Sequence, residues 1–234
     1  MNILAIEAST KTGSCAVFAD EGLIGELTIN TDATHSEKLM PAIISLMGSL
    51  QLTFKDLNGL AVSIGPGSFT ALRIAISTAK GIALAANIPL IGVPTLEALA
   101  EKVSDFGSVI CPFLDARKKE VYFALYSRNK NGTLEQLKEE TVSTVEQMCE
   151  KIKTKTIFTG NGIEVYGKKI KELLKEKAFF ISKANSLPTA STVAEIGHRM
   201  LINGDYPKDL SSLKPIYLRS SDAELSFAKK KALD

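Results

Sequence analysis

The sequence has little of what metal, redox and nucleophilic chemistry need. Its 234 residues include no tryptophan, two histidines and three cysteines. His35 and His198 stand far apart, neither with a second histidine four residues on, so HxxxH and HExxH are both missing and no preformed zinc or iron site of the usual kind is expected. Cys15, Cys111 and Cys149 are scattered and form no CxxC pair, which argues against a disulfide framework and for inert thiols in a reducing cytoplasm. The nucleophile elbow G-x-S-x-G does not occur, and neither do the phosphate-binding patterns G-x-x-x-x-G-K-[ST] and GxGxxG. With 28 basic and 26 acidic side chains the net charge is +2, so the chain is no dedicated nucleic-acid binder, although a local basic patch could touch a nucleic acid. The N-terminus enters a strand pattern at once, with no signal-peptide core, and no apolar run is expected to reach the roughly 18–20 residues that cross a bilayer.

What is present is a two-round pattern of strands and helices. The stretch AVSIGPGSFTALRIAISTAKGIALAA (61–86) runs from an apolar strand through a Gly-Pro-Gly turn into a long helix. Glycine admits positive φ and proline fixes its own, and Ser68 stands where an N-cap hydroxyl should accept first-turn N–H groups. Ala71, Ala75, Ala79 and Ala83 make one small face that lets another helix come close. The first round predicts strands at 3–6, 14–19 and 23–30, a helix over about 37–50 capped by Thr34 or Ser36, a strand at 60–64, the central helix to 86, a strand at 90–93 and a helix over 96–103. The second predicts strands at 108–114, 120–126 and 133–142, a helix capped by Ser143, a strand at 156–159, a helix over 163–175, a strand at 178–181 and a helix over 189–203. Both rounds read β-β-β-α-β-α-β-α. This predicts an α/β chain of two tandem halves, 1–105 and 106–234, each a mixed sheet with helices on both faces. That is the actin-like, RNase H-like (ASKHA) plan shared by actin, sugar kinases and Hsp70, which grips a nucleotide between its halves. Residues 216–219 are read as an added strand and the lysines at 229–231 as a solvated end.

Three features are candidates for function. GPGSFT lies between a strand and a helix start, where an anion could meet free N–H groups; the alternative is a tight turn and nothing more. Glu7 and Asp115 end the first strand of each half, where acidic groups of nucleotide-cleft proteins hold magnesium, and a small-molecule kinase or ATPase acting through this pair is the competing function. The first hairpin, EASTKTGS, keeps small residues. The second, DARKKEVY, puts side chains where backbone should approach phosphate, so a degenerate cleft is the plainer reading. Finally, Met40, Ile44 and Met47 on one helix, with the alanine stripe, Leu72 and Ile76 on the next, offer more apolar surface than one sheet face needs, as a subunit interface would.

The segments NILAIEAST, HSEKLMP, IGPGSFTALRIAISTAKGIA, IGVPTLEALA, LDARKKEVYFALY and PIYLR resemble, in order and over nearly the whole chain, the TsaB (YeaZ) family. One departure is Ala71, where that family has glycine in FTGLR. The resemblance implies a pseudoenzyme subunit in the cytoplasm, with no catalytic residue, metal or required cofactor and at most weak nucleotide binding. Its partners would be TsaD and the ATPase TsaE, with a homodimer when alone, and the assembly would pass a threonylcarbamoyl group to the tRNA adenosine beside the anticodon. The resemblance puts the partner interface on the first two helices, here Leu39, Met40, Ile43, Ile44, Met47, Phe69, Leu72, Arg73, Ala75, Ile76 and Ala79. Glu7, Ser9, Thr10, Asp115 and Arg117 would be the remnant of a nucleotide cleft.

Overall fold

A computed structural model describes residues 1–30 and 35–219. The first half runs β1 (Ile3–Glu7), β2 (Gly13–Ala19), β3 (Gly22–Ile29), α1 (His35–Ser49), β4 (Gly59–Gly65), α2 (Phe69–Ala86), β5 (Leu90–Pro94) and α3 (Thr95–Glu101). The second runs β6 (Val109–Arg117), β7 (Glu120–Arg128), β8 (Leu134–Thr144), α4 (Val145–Lys151), β9 (Thr156–Thr159), α5 (Gly162–Leu174), β10 (Ala178–Phe180) and α6 (Ala190–Asn203). The tandem pattern expected from sequence is therefore observed. Each half forms one five-stranded mixed sheet, in the orders β3-β2-β1-β4-β5 and β10-β9-β6-β7-β8. The meander pairs are antiparallel, and the strands reached through helices are parallel.

The central strand β1 is apolar on both faces because both are covered. Leu4 and Ile6 join Leu60 and Val62 against α1 and α2, while Ile3 and Ala5 join Ala61 and Ile91 against α6. Gly197 lets α6 lie directly on the sheet, since a Cβ there would stand 2.5 Å from that of Ala61. The second sheet buries Phe113, Phe123 and Phe158 under α4 and α5, and its other face packs Ile110, Leu114 and Ala124 against Leu96, Leu99 and Ala100 of α3. The layers are thus α1/α2, first sheet, α3/α6, second sheet, α4/α5. Dividing the sequence at 105/106 assigns α6 to the second half, yet it packs on the first sheet, because Val193, Ala194 and Ile196 face Ile3, Ala61 and Val93.

Several local expectations are corrected. Ser68 occupies the N-cap of α2 without a side-chain capping bond. The cap of α4 is Thr144, not Ser143, and its hydroxyl accepts from the Gln147 N–H at 3.3 Å. Ser36 lies inside α1, and the alternative cap Thr34 falls outside the described residues, as does the lysine-rich end at 229–231. Residues 216–219 form no strand; Ile216 donates one backbone bond to Ile64 O at 2.7 Å. At 18 residues, α2 is long and apolar enough to cross a membrane by length and composition, contrary to expectation. It carries Arg73 and Lys80, and Ala71, Ala75, Ala79 and Ala83 are all buried in this fold.

Candidate functional site

The carboxyl ends of β1 and β4 meet the first hairpin at Glu7. Its side chain is wholly buried, and Oε1 accepts from the Ser9 N–H at 2.6 Å and from the Ser9 hydroxyl. Among the described residues Oε2 has no hydrogen-bond partner, nor has Ser63 Oγ, on the neighbouring strand β4. Ser63 stands near enough to favour the charged carboxylate without making a bond of ordinary geometry. Burial outweighs this, the Ser9 bonds and the field of His35, so the carboxyl's pKa is raised. His35 Nε2 meets Thr10 O at 2.9 Å, and only glycine at 13 leaves room for that ring, since a Cβ would stand 2.9 Å from Nδ1.

The GPGSFT loop is pressed against the same hairpin. A Cβ on Gly67 would lie 2.4 Å from Ser9 O, and that carbonyl accepts the Ser68 N–H at 2.7 Å. A donor expected to face an anion is therefore engaged by the chain itself, and close backbone approach is what the glycine serves. Lys102 reaches this region from the layer below, with Nζ donating to Leu187 O at 2.7 Å. Burial lowers its pKa, against the opposing pull of Glu26 and Glu7.

Asp115 serves its own hairpin. Its Oδ1 accepts from the Arg117 N–H at 2.9 Å and the Tyr166 hydroxyl at 3.3 Å, while its N–H donates to Asn161 Oδ1 at 3.0 Å. Arg117, Lys118 and Lys119 follow with φ of 60°, 53° and 65°, a left-handed turn built without glycine. The structure thus brings Glu7, Ser9 and Thr10 together in one hairpin and Asp115 with Arg117 in the other. The hydrogen bonds of each set stay within its own neighbourhood. An ATPase using Glu7 and Asp115 around magnesium is not favoured, because one carboxyl is sealed and the other is committed to a turn.

The residues expected at the helical interface separate by burial. Leu39, Ile43, Met47, Leu72, Ala75, Ile76 and Ala79 are buried in the chain's own core, where the alanine stripe brings α2 close to the sheet and α1. Phe69 and Arg73 are held by the C-terminal segment. The Phe69 ring stacks on Tyr217 at 4.5 Å, and Arg73 lies 4.0 Å over Phe69 with Nε donating to Tyr217 OH at 2.9 Å. Of the expected set, Met40 stays half-buried and Ile44 is 57% exposed. Beside them the outer side of α2 presents Leu84, 73% exposed, and an apolar groove of about 600 Å³ lined by Met40, Phe54, Thr78, Gly81, Ile82 and Ala85. Leu84, Gly81 and Ala85 escaped the sequence reading because the stripe of alanines drew attention to the opposite face. Their signal was their place across the helix from that stripe.

Residues 23–227 match the family described as TsaD, tRNA N6-adenosine threonylcarbamoyltransferase. The chain is 33% identical over 230 residues to the tRNA threonylcarbamoyladenosine biosynthesis protein TsaB of Bacillus subtilis, covering 97% of this chain and 98% of that one. It is 29% identical to the Escherichia coli protein of the same name, covering 95% and 96%. Its fold is similar to that of the solved structure of YeaZ from Pseudomonas aeruginosa, with a TM-score of 0.77 at 23% identity over 93% of this chain and 99% of that one.

Proposed function

The chain belongs to the TsaB family, within the wider family described as tRNA N6-adenosine threonylcarbamoyltransferase, and from that premise we propose that it acts as a non-catalytic subunit. Its role is in tRNA threonylcarbamoyladenosine biosynthesis. In this reading it supplies a docking surface to a TsaD-type catalytic subunit, with a TsaE-type ATPase in the same assembly, and contributes no proton transfer or nucleophile. The observation that carries the reading is the outer face of α1 and α2, two helices that expose Ile44 and Leu84 and also line a largely apolar groove. Exposed aliphatic groups and a largely apolar groove gain free energy when a partner covers them. The sealed Glu7 supports the same reading, since a carboxyl with no solvent exposure reaches neither a nucleotide phosphate nor its cation.

The test is co-purification with the TsaD-type subunit. Ile44→Asp and Leu84→Asp are expected to abolish capture while leaving the circular dichroism spectrum and melting temperature near wild type. Undiminished capture by the double variant would place the docking surface elsewhere.

A further inference from the structure

The second half carries a surface that the docking role does not use. Residues 150–183 contain nine lysines and four glutamates, an excess of five in a chain whose whole excess is two. Much of this charge gathers at β10, the edge strand of the second sheet. The parallel register pairs Ala178 with Thr156, so Lys177 and Lys155 each immediately precede the paired residues, with Lys153 and Lys175 in the segments leading in. Phe179 projects from this edge and is 45% exposed. Lys155 Nζ stands 5.2 Å and Lys171 Nζ 5.7 Å from its ring centre. Asp105 pairs with Lys155 at 3.6 Å, and Glu172 and Glu176 are acidic residues in the adjoining sequence. Among the described residues, Lys153, Lys175 and Lys177 have no carboxylate partner.

Lysines around an edge strand discourage pairing with another sheet, and Lys171 of α5 covers the Ala178 carbonyl with its Nζ at 3.1 Å in that way. That role accounts for the lysines and leaves the exposed aromatic ring unexplained. A ring flanked by cations is what unpaired nucleotides bind: the base stacks on the ring and the lysines meet the phosphates on either side. We propose that the β10 edge, centred on Phe179 with Lys155, Lys171 and Lys177, is a contact surface for an unpaired segment of RNA. The proposal deepens the preceding reading, on which it rests for tRNA as the RNA concerned. It places the RNA contact on the second half, while the partner subunit covers helices of the first.

The test titrates the full chain against a fluorescent unmodified tRNA transcript and a short oligouridine, by anisotropy over a series of salt concentrations. Phe179→Ala should weaken both affinities about tenfold. The double charge reversal Lys155→Glu, Lys177→Glu should weaken them further and reduce the log–log salt slope by about 0.7 for each contact removed. Lys155→Gln with Lys177→Gln serves as a milder pair, and melting curves confirm that each variant is folded. Affinities and salt slopes unchanged in the variants overturn the surface, as does a wild-type chain that binds neither RNA. Loss of a purified acidic protein partner with RNA affinity intact also overturns it, in favour of a protein contact. The reading beneath it is scored apart, by whether the wild-type chain supports threonylcarbamoyl transfer to the transcript with its reconstituted partners. Transfer with unaltered RNA affinity in the variants removes the surface alone; absence of transfer with affinity lost in the variants removes the reading alone.

Discussion

Glu7 shows how a carboxylate at the end of an apolar strand is closed into the core. Its Oε1 is satisfied by Ser9, while Oε2 and the nearby Ser63 hydroxyl have no hydrogen-bond partner among the described residues. Burial raises its pKa above the ordinary 4.5, so the folded protein holds a proton that the unfolded chain releases. The stability tied to that proton is fully present below 4.5 and is lost as pH rises through the folded value. Glu7→Gln keeps an acceptor for Ser9 and places an amide donor toward Ser63. It should raise stability by about 1–3 kcal/mol at neutral pH and by little in acid. Chemical denaturation at several pH values checks this, and a wild-type advantage that grows with pH would contradict it. The importance of Glu7 was legible from its place at the end of an apolar run. Its closure was not, because that depends on Ser63 of another strand and on a glycine 60 residues away at position 67.

At the scale of elements, α2 turns its small-residue face inward and its open face to solvent. Its stripe of alanines was legible as a close-packing face; that the neighbour is the chain's own sheet and α1 was not, since periodicity marks a face without saying what covers it. The distinction has an observable consequence. Leu72→Asp or Ala75→Glu would bury an unpaired charge at a site with no exposure and cost about 4 kcal/mol or more, unfolding the protein instead of releasing a partner. Ile44→Asp and Leu84→Asp lie on the open side and should leave the melting temperature within a few degrees of wild type, which differential scanning calorimetry resolves. The loop before α2 is constrained just as tightly. Gly67→Ala must displace the Ser9 carbonyl, 2.4 Å from the new methyl, and should cost about 1–3 kcal/mol in a denaturation experiment.

At the scale of the whole molecule the halves meet through α3, which packs on the second sheet and against α6, the helix that lies on the first sheet. The β-β-β-α-β-α-β-α repeat was legible in the sequence because each strand is a short apolar run and each helix has its own apolar face. The placement of α6 on the first sheet was not legible, because it depends on Gly197 meeting Ala61 across a long sequence separation. At this junction Glu97 of α3 and Glu140 of β8 both have raised pKa values. Burial is the main cause, with repulsion from Glu97 adding to that of Glu140, which is pushed up to about 7. Arg199 and Glu101 act on Glu97 in opposite senses. The stability tied to the Glu140 proton is fully present below 4.5 and falls away up to about 7. Glu140→Gln should flatten the decline in melting temperature over that range; an unchanged profile would mean that this carboxyl does not load the junction.

The central claim is that the chain serves threonylcarbamoyl transfer through its helical face and not through chemistry at its own cleft. The most direct measurement is the threonylcarbamoyladenosine content of tRNA, by mass spectrometry, after reconstitution with the catalytic subunit and ATPase. The prediction is that Ile44→Asp with Leu84→Asp abolishes modification and Glu7→Gln sustains it at the wild-type level. Full modification by the double helix variant, with modification lost in Glu7→Gln, would contradict it.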